Sequence, residues 1–130
     1  MQYLLFSCVA LFSWFSNAST ESDDYYLLFT KIDNRVEVYA GDSLIFDSGF
    51  IEGNPDLQLQ VDFDPNNLKS NTLTVNLLNG EDVEVEQIDR HWEITYEIFK
   101  NEEPIEYQSE SGDNYETGLV FSMEYDLNDL

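Results

Sequence analysis

The sequence predicts an all-β protein: one antiparallel β-sandwich, jelly-roll-like, with about nine strands after an N-terminal signal segment. Three observations predict this fold. Apolar and polar residues alternate with period two in much of residues 19–130, turn-forming residues recur roughly every eight to twelve positions, and no long segment has the 3.6-residue period of a helix. Hydrophobic residues make up 42% of the chain, which is enough to form a core and excludes a disordered protein.

The signal segment covers residues 1–18. Residues 3–15 form an uncharged apolar run, and a small-residue pattern follows it and ends at Ala18. The run is shorter than the roughly 20 residues that span a bilayer, so we expect cleavage after Ala18, no membrane attachment afterwards and a secreted or periplasmic protein. A lipobox that ends at Cys8 is the alternative. Cys8 is the only cysteine, so residues 19–130, the expected single domain, contain neither a disulfide nor a thiolate zinc site.

The first five strands are each bounded by turn-forming residues. Val36 and Val38 alternate with charged neighbours, and Gly41 supplies the tight turn of a hairpin. A loop rich in Gly, Asn and Pro then precedes the clearest alternation of the chain, which ends at Asp64. These strands are expected at residues 25–30, 34–40, 44–47, 57–63 and 72–78.

The last four strands complete the predicted sandwich. Asn79 and Gly80 are the pair preferred in type I′ turns, so they predict a hairpin between the fifth and sixth strands. The seventh strand carries Trp92 and Phe99 on opposite faces and is therefore expected at the centre of a sheet. Tyr107, which alternates with polar residues, is expected to pack in the core. These strands are expected at residues 82–86, 92–99, 105–107 and 119–125.

The charge of the chain limits its partners. It contains 27 acidic and 5 basic residues, a formal net charge of −22, and all of these residues follow residue 18. Such a charge repels nucleic acids and anionic membranes, whereas it attracts divalent cations and basic proteins. Salt or cation binding should stabilise the fold by relieving repulsion, although a solvated acidic surface needs no specific ion site. The acidic residues at 81–86 discourage pairing between copies, so a monomer is expected.

Two acidic clusters are candidate calcium sites. Asp62, Asp64 and Asn66 have the spacing of the first, third and fifth positions of a calcium loop, where alternate oxygens converge on a hard cation. An Asx-type turn after a strand is the alternative interpretation of these residues. The second cluster lies in the polar loop at residues 109–116 and consists of Glu110, Asp113 and Glu116, with Asn114 between them.

Residues 36–80 also resemble a known family. They contain a hairpin, a loop, a strand that ends in Val61, Asp62 and Phe63, and, after a short turn, the run Asn-Thr-Leu-Thr-Val at residues 71–75. This order resembles the galactose-binding-like jelly-roll domains, among them the sugar-binding domains attached to many glycoside hydrolases. The resemblance implies a jelly roll that binds carbohydrate, in some members with a structural calcium, and that is not itself catalytic.

Three functions remain open. A glycan-binding module needs an exposed aromatic platform, for which Trp92 and Tyr115 are the candidates, with core packing as the alternative for Trp92. An acidic interaction protein would bind a basic protein or divalent cations. A small hydrolase is the third possibility, but His91 is the only histidine and no nucleophile motif is present, so an enzyme is not expected.

Overall fold

The computed structural model describes residues 22–80, 91–113 and 117–130. This part of the chain forms eight strands and a short terminal 3₁₀ helix, Leu127–Asp129. Within these residues no helix is long and apolar enough to cross a membrane. The strands are β1 (Tyr25–Asp33), β2 (Arg35–Ala40), β3 (Ser43–Asp47), β4 (Leu59–Phe63), β5 (Thr72–Asn79), β6 (Trp92–Lys100), β7 (Glu103–Gly112) and β8 (Gly118–Asp126).

The strands form two antiparallel sheets of four. Sheet A has the order β4-β1-β6-β7, and sheet B has the order β3-β2-β5-β8. The predicted antiparallel β-sandwich is therefore confirmed. The aromatic residues on both faces of β6 predicted a central strand, and β6 does lie between β1 and β7.

The core lies between the inner faces of the two sheets. Each central strand alternates buried and partly exposed residues, as expected for a sheet with one face on the core. Full burial of one aliphatic side chain contributes about 1.5–3 kcal/mol to the free energy of unfolding. The fully buried side chains include Leu27, Phe29, Val36, Val38, Leu73, Val75, Leu77, Ile94, Tyr96 and Ile98.

The corner between β1 and β2 joins the two sheets. Asn34 is buried there; its backbone carbonyl accepts a hydrogen bond from Ile51 N at 2.8 Å, and its Oδ1 accepts one from Gly80 N at 3.0 Å. One residue thus ties the end of β5, through its side chain, and the loop after β3, through its backbone carbonyl, to the same corner. These hydrogen bonds satisfy two backbone donors that no strand pairs.

The described residues contain eight strands, whereas nine were predicted for the chain. The predicted sixth strand, residues 82–86, lies outside the described residues. The hairpin that Asn79 and Gly80 predicted would need a free edge of β5, and β5 has none. Gly80 does have the positive φ of 66° that such a turn uses, but both edges of β5 are already paired, one with β2 and the other with β8.

The predicted strand at residues 105–107 is longer and more exposed than expected. β7 spans ten residues, and Tyr107 is 61% exposed, so its predicted core packing is wrong. A bulge at Ile105 is the cause. It brings Glu106 opposite Ile98 on the inner face and leaves Tyr107 opposite Glu97 on the outer face.

Candidate functional site

A cleft lined largely by acidic residues lies at one end of the outer face of sheet A. Its volume is about 580 Å³, and it is open to solvent. It is bounded by the start of β1, the end of β4 and the turn between β6 and β7. No Lys, Arg or His is among its lining residues, which include five carboxylates, Asp23, Asp24, Asp62, Asp64 and Glu102.

The turn between β6 and β7 brings distant parts of the chain to this cleft. Asn101 and Glu102 have φ values of 51° and 65°, as in a two-residue type I′ hairpin turn. Asn101 N donates to Asp24 O at 2.8 Å, Asp24 N donates to Asn101 Oδ1 at 2.9 Å, and Asn101 Nδ2 donates to Asp23 Oδ1 at 2.8 Å. The segment before β1 is therefore clamped beside the turn, and its two aspartates join Glu102 at one wall.

Local hydrogen bonds orient the aspartates of the opposite wall. Asp62 Oδ1 accepts from Gln60 Nε2 at 2.7 Å on the exposed face of β4. Asp64 Oδ1 accepts from Asn66 N at 2.9 Å, and Asp64 Oδ2 accepts from Asn67 Nδ2 at 2.6 Å. These donors leave most of the carboxylate charge uncompensated, since none of them is a cation.

The carboxylates of Asp24 and Glu102 differ from the others. Neither makes a side-chain hydrogen bond or an ion pair within the described residues. Asp23, in contrast, has Lys100 Nζ 3.9 Å from its Oδ2. Asp24 and Glu102 are thus the cleft carboxylates that are available to an incoming cation.

Aromatic side chains lie beside these carboxylates on the outer face of sheet A. The rings of Tyr26 and Phe99 stack at a centroid distance of 4.8 Å with 9° between their planes. Tyr26 lines the cleft and pairs with Asp62 across β1 and β4. One row of the sheet therefore carries a carboxylate next to an aromatic pair, an arrangement that suits a guanidinium or an ammonium group.

The first predicted calcium site is organised as a turn. Asp64 and Asn66 form an Asx-type turn, the alternative interpretation of this spacing, because Asn66 N donates to the Asp64 carboxylate. Asp62 points from β4 into the same cleft. Among the described residues no three His, Cys, Asp or Glu side chains are grouped so that they could hold a metal ion. Calcium binding here stays a prediction.

The second predicted cluster is divided between two places. Glu110 lies on β7, Asp113 follows the strand, and Glu116 lies outside the described residues. Asp113 Oδ1 is 2.7 Å from His91 Nδ1, and this hydrogen bond raises the pKa of His91 above its ordinary value, with a smaller contribution from Glu93. Asp113 therefore stabilises a protonated histidine at the start of β6.

The structure describes one of the two predicted ligand-binding aromatics, Trp92. Trp92 is 8% exposed and belongs to the core, where its indole ring covers Gly112 of the neighbouring strand. Tyr115 lies outside the described residues. Tyr107 is the aromatic residue exposed to solvent among the described residues, and the partly exposed Tyr26 lines the cleft.

Only part of the cleft could be predicted from the sequence. Asp62 and Asp64 were selected for their spacing, whereas Asp23, Asp24 and Glu102 were not, because they are distant in sequence and belong to no motif. Because the chain has 27 acidic residues, no single carboxylate stands out in the sequence as a candidate site residue.

The chain matches no protein-family model, and no curated protein or solved structure is detectably similar to it.

Proposed function

We propose that the protein is an exported, non-enzymatic binding module whose partner is a basic protein. In this proposal the cleft at the end of sheet A receives lysine or arginine side chains of the partner. The observation that carries it is the convergence of five carboxylates on one cleft without a basic residue among its lining residues. The apolar run at residues 3–15 supports the export part of the proposal.

Electrostatics favours a cationic partner over a neutral one. Carboxylates gathered in a concave surface focus the field of a chain whose net charge is −22, which raises the local concentration of cations and the rate of their association. Among the described residues no basic side chain pairs with Asp24 or Glu102, so a partner's ammonium or guanidinium group would replace water there rather than one of the ion pairs that the structure describes. The neighbouring Tyr26 ring adds a surface on which such a group can stack.

Titration calorimetry with an oligolysine peptide as the probe tests this proposal. The double variant Asp24→Asn, Glu102→Gln removes two charges from the cleft, and Glu52→Gln, Glu124→Gln removes two exposed charges elsewhere. We expect salt-dependent binding by the parent protein and a loss for the cleft variant that clearly exceeds the loss for the control. Equal losses would mean that the whole surface attracts the peptide and that the cleft is not the site.

A glycan is the second candidate ligand. The Tyr26 ring, the Gln60 amide and the Asp62 carboxylate line the same cleft, and sugar sites use this combination of groups. Binding of a neutral oligosaccharide would depend little on salt, whereas binding of a basic protein falls steeply as salt rises. Saturable, salt-insensitive binding of an oligosaccharide, lost in Tyr26→Ala, would favour this candidate over a basic protein.

A further inference from the structure

The free edge of β7 is the second surface that a partner could use. β7 is paired with β6 on one side, and in the part of the chain that the structure describes no strand lies on its other side. Its ten residues make it the longest strand described, whereas the edge strands β3 and β4 have five residues each. Every second residue of an edge strand directs its N–H and C=O outward, so β7 presents a long row of unpaired backbone groups.

The exposure of β7 distinguishes it from the other long edge strand, β8. Alternate residues of β8, such as Phe121 and Tyr125, are packed against the core. On β7 the inner positions are polar, and nearly all of its side chains are exposed. The inner residues Glu106, Gln108 and Glu110 lie opposite the buried Ile98, Tyr96 and Ile94 of β6. The apolar core thus ends at β6, and β7 extends beyond it.

The negative charge of β7 favours pairing with a strand that carries basic side chains. β7 carries Glu103, Glu106 and Glu110 and no basic residue. A second copy paired at this edge would bring glutamates against glutamates, and inward-pointing charges of this kind oppose self-pairing. A strand with lysine or arginine on its inner face would instead meet Glu106 and Glu110, which are four residues and therefore about 13 Å apart on that face.

We propose that the free edge of β7 accepts an extended basic segment of the partner protein as a fifth strand of sheet A. The inference rests on the proposed function, because it specifies how the basic partner is held. Backbone hydrogen bonds hold the segment along β7, basic side chains spaced four residues apart pair with Glu106 and Glu110, and the opposite face of the segment covers Tyr107. The turn at Asn101 and Glu102 connects this edge to the acidic cleft, so one partner can contact both.

The test uses synthetic peptides of about ten residues, the length of strand that β7 can pair, in which lysine alternates with valine or threonine. Two further versions carry N-methyl groups on the backbone amides, one at every lysine and one at every intervening residue. All three peptides have the same charge. In a strand these two sets of amides point to opposite edges, so only one methylated peptide loses the donors that would face β7.

We expect the purified protein to bind the parent peptide and one methylated peptide alike, and to bind the other at least about tenfold more weakly, since several hydrogen bonds are lost together. Glu106→Gln, Glu110→Gln should weaken binding of the parent peptide more than the charge-matched Glu52→Gln, Glu124→Gln does. Equal affinities for the two methylated peptides would overturn strand addition but leave the proposed function intact. No binding of any lysine peptide would overturn both.

Discussion

Replacement of Gly112 by alanine tests how the edge of the sandwich is packed. Gly112 lies on β7 opposite Trp92, and the indole ring covers it. A Cβ atom at Gly112 would be 2.6 Å from Trp92 Cε2 and Nε1 and 2.7 Å from Cζ2. These distances are well below van der Waals contact, and the ring is 8% exposed in the core, so it cannot simply swing into solvent.

The magnitude follows from two opposing effects. Overpacking of this kind costs about 1–3 kcal/mol, whereas alanine in a strand gains about 0.5–1 kcal/mol over glycine through lower backbone entropy in the unfolded chain. The free energy of unfolding of Gly112→Ala should therefore fall by about 0.5–2 kcal/mol. The corresponding fall in the thermal midpoint is about 2–8 °C for a domain of this size.

Urea and thermal unfolding followed by circular dichroism at fixed pH and salt measure this change. Ser111→Ala, on the exposed face of the same strand, is the control and should change stability by less than about 0.5 kcal/mol. In a Trp92→Phe background the clashing indole atoms are absent, so Gly112→Ala should cost nothing. A Gly112→Ala protein as stable as the parent, or an equal cost in both backgrounds, would refute the packing described here.

Three further predictions concern the hydroxyl pair, the histidine and the charge. Tyr125→Phe removes the partner 2.6 Å from the buried Tyr96 hydroxyl and should lower the free energy of unfolding by about 1 kcal/mol in urea titrations; an unchanged value would contradict this role. Asp113→Asn should lower the pKa of His91 in an NMR titration. Folding raises the pKa of His91, so protonation of this residue stabilises the folded protein. The stabilisation is fully present below the ordinary pKa of 6.5 and is lost as the pH rises through the folded-state pKa. The Asp113→Asn variant should therefore show a smaller change of stability over this pH range. Sodium chloride should raise the thermal midpoint by screening the net charge. Calcium at matched ionic strength tests the predicted calcium site: a further rise that Asp64→Asn abolishes would support that site, whereas equal midpoints in calcium and sodium chloride would count against it.

The strands that face the core could be predicted from sequence because their pattern is local. Val36 and Val38 in β2, and Ile94 and Ile98 in β6, alternate with polar residues, and each is buried as the period-two pattern requires. The pattern fails at β7, where Tyr107 alternates in the same way but faces solvent. A single bulged residue inverts the faces that follow it, and nothing in the local sequence shows that the core has already ended at β6.

Pairing between strands that are distant in sequence was not predictable in the same way. Asn79 and Gly80 favour a turn, but the partners of β5 are β2 and β8, and that choice depends on the whole sandwich. The cleft likewise depends on contacts between residues that are distant in sequence. Asp24 and Glu102 meet because Asn101 clamps the start of β1 to the β6–β7 turn, a contact that joins residues 77 positions apart.

The central position of β1 in sheet A has a consequence for the order in which the chain can fold. β1 begins at Tyr25, yet one of its neighbours, β6, begins only at Trp92. During synthesis from the N-terminus, β1 therefore cannot pair with β6, and its apolar side chains cannot be fully buried, until most of the chain has been made. Because this pairing is non-local, folding should be slow for a domain of this length.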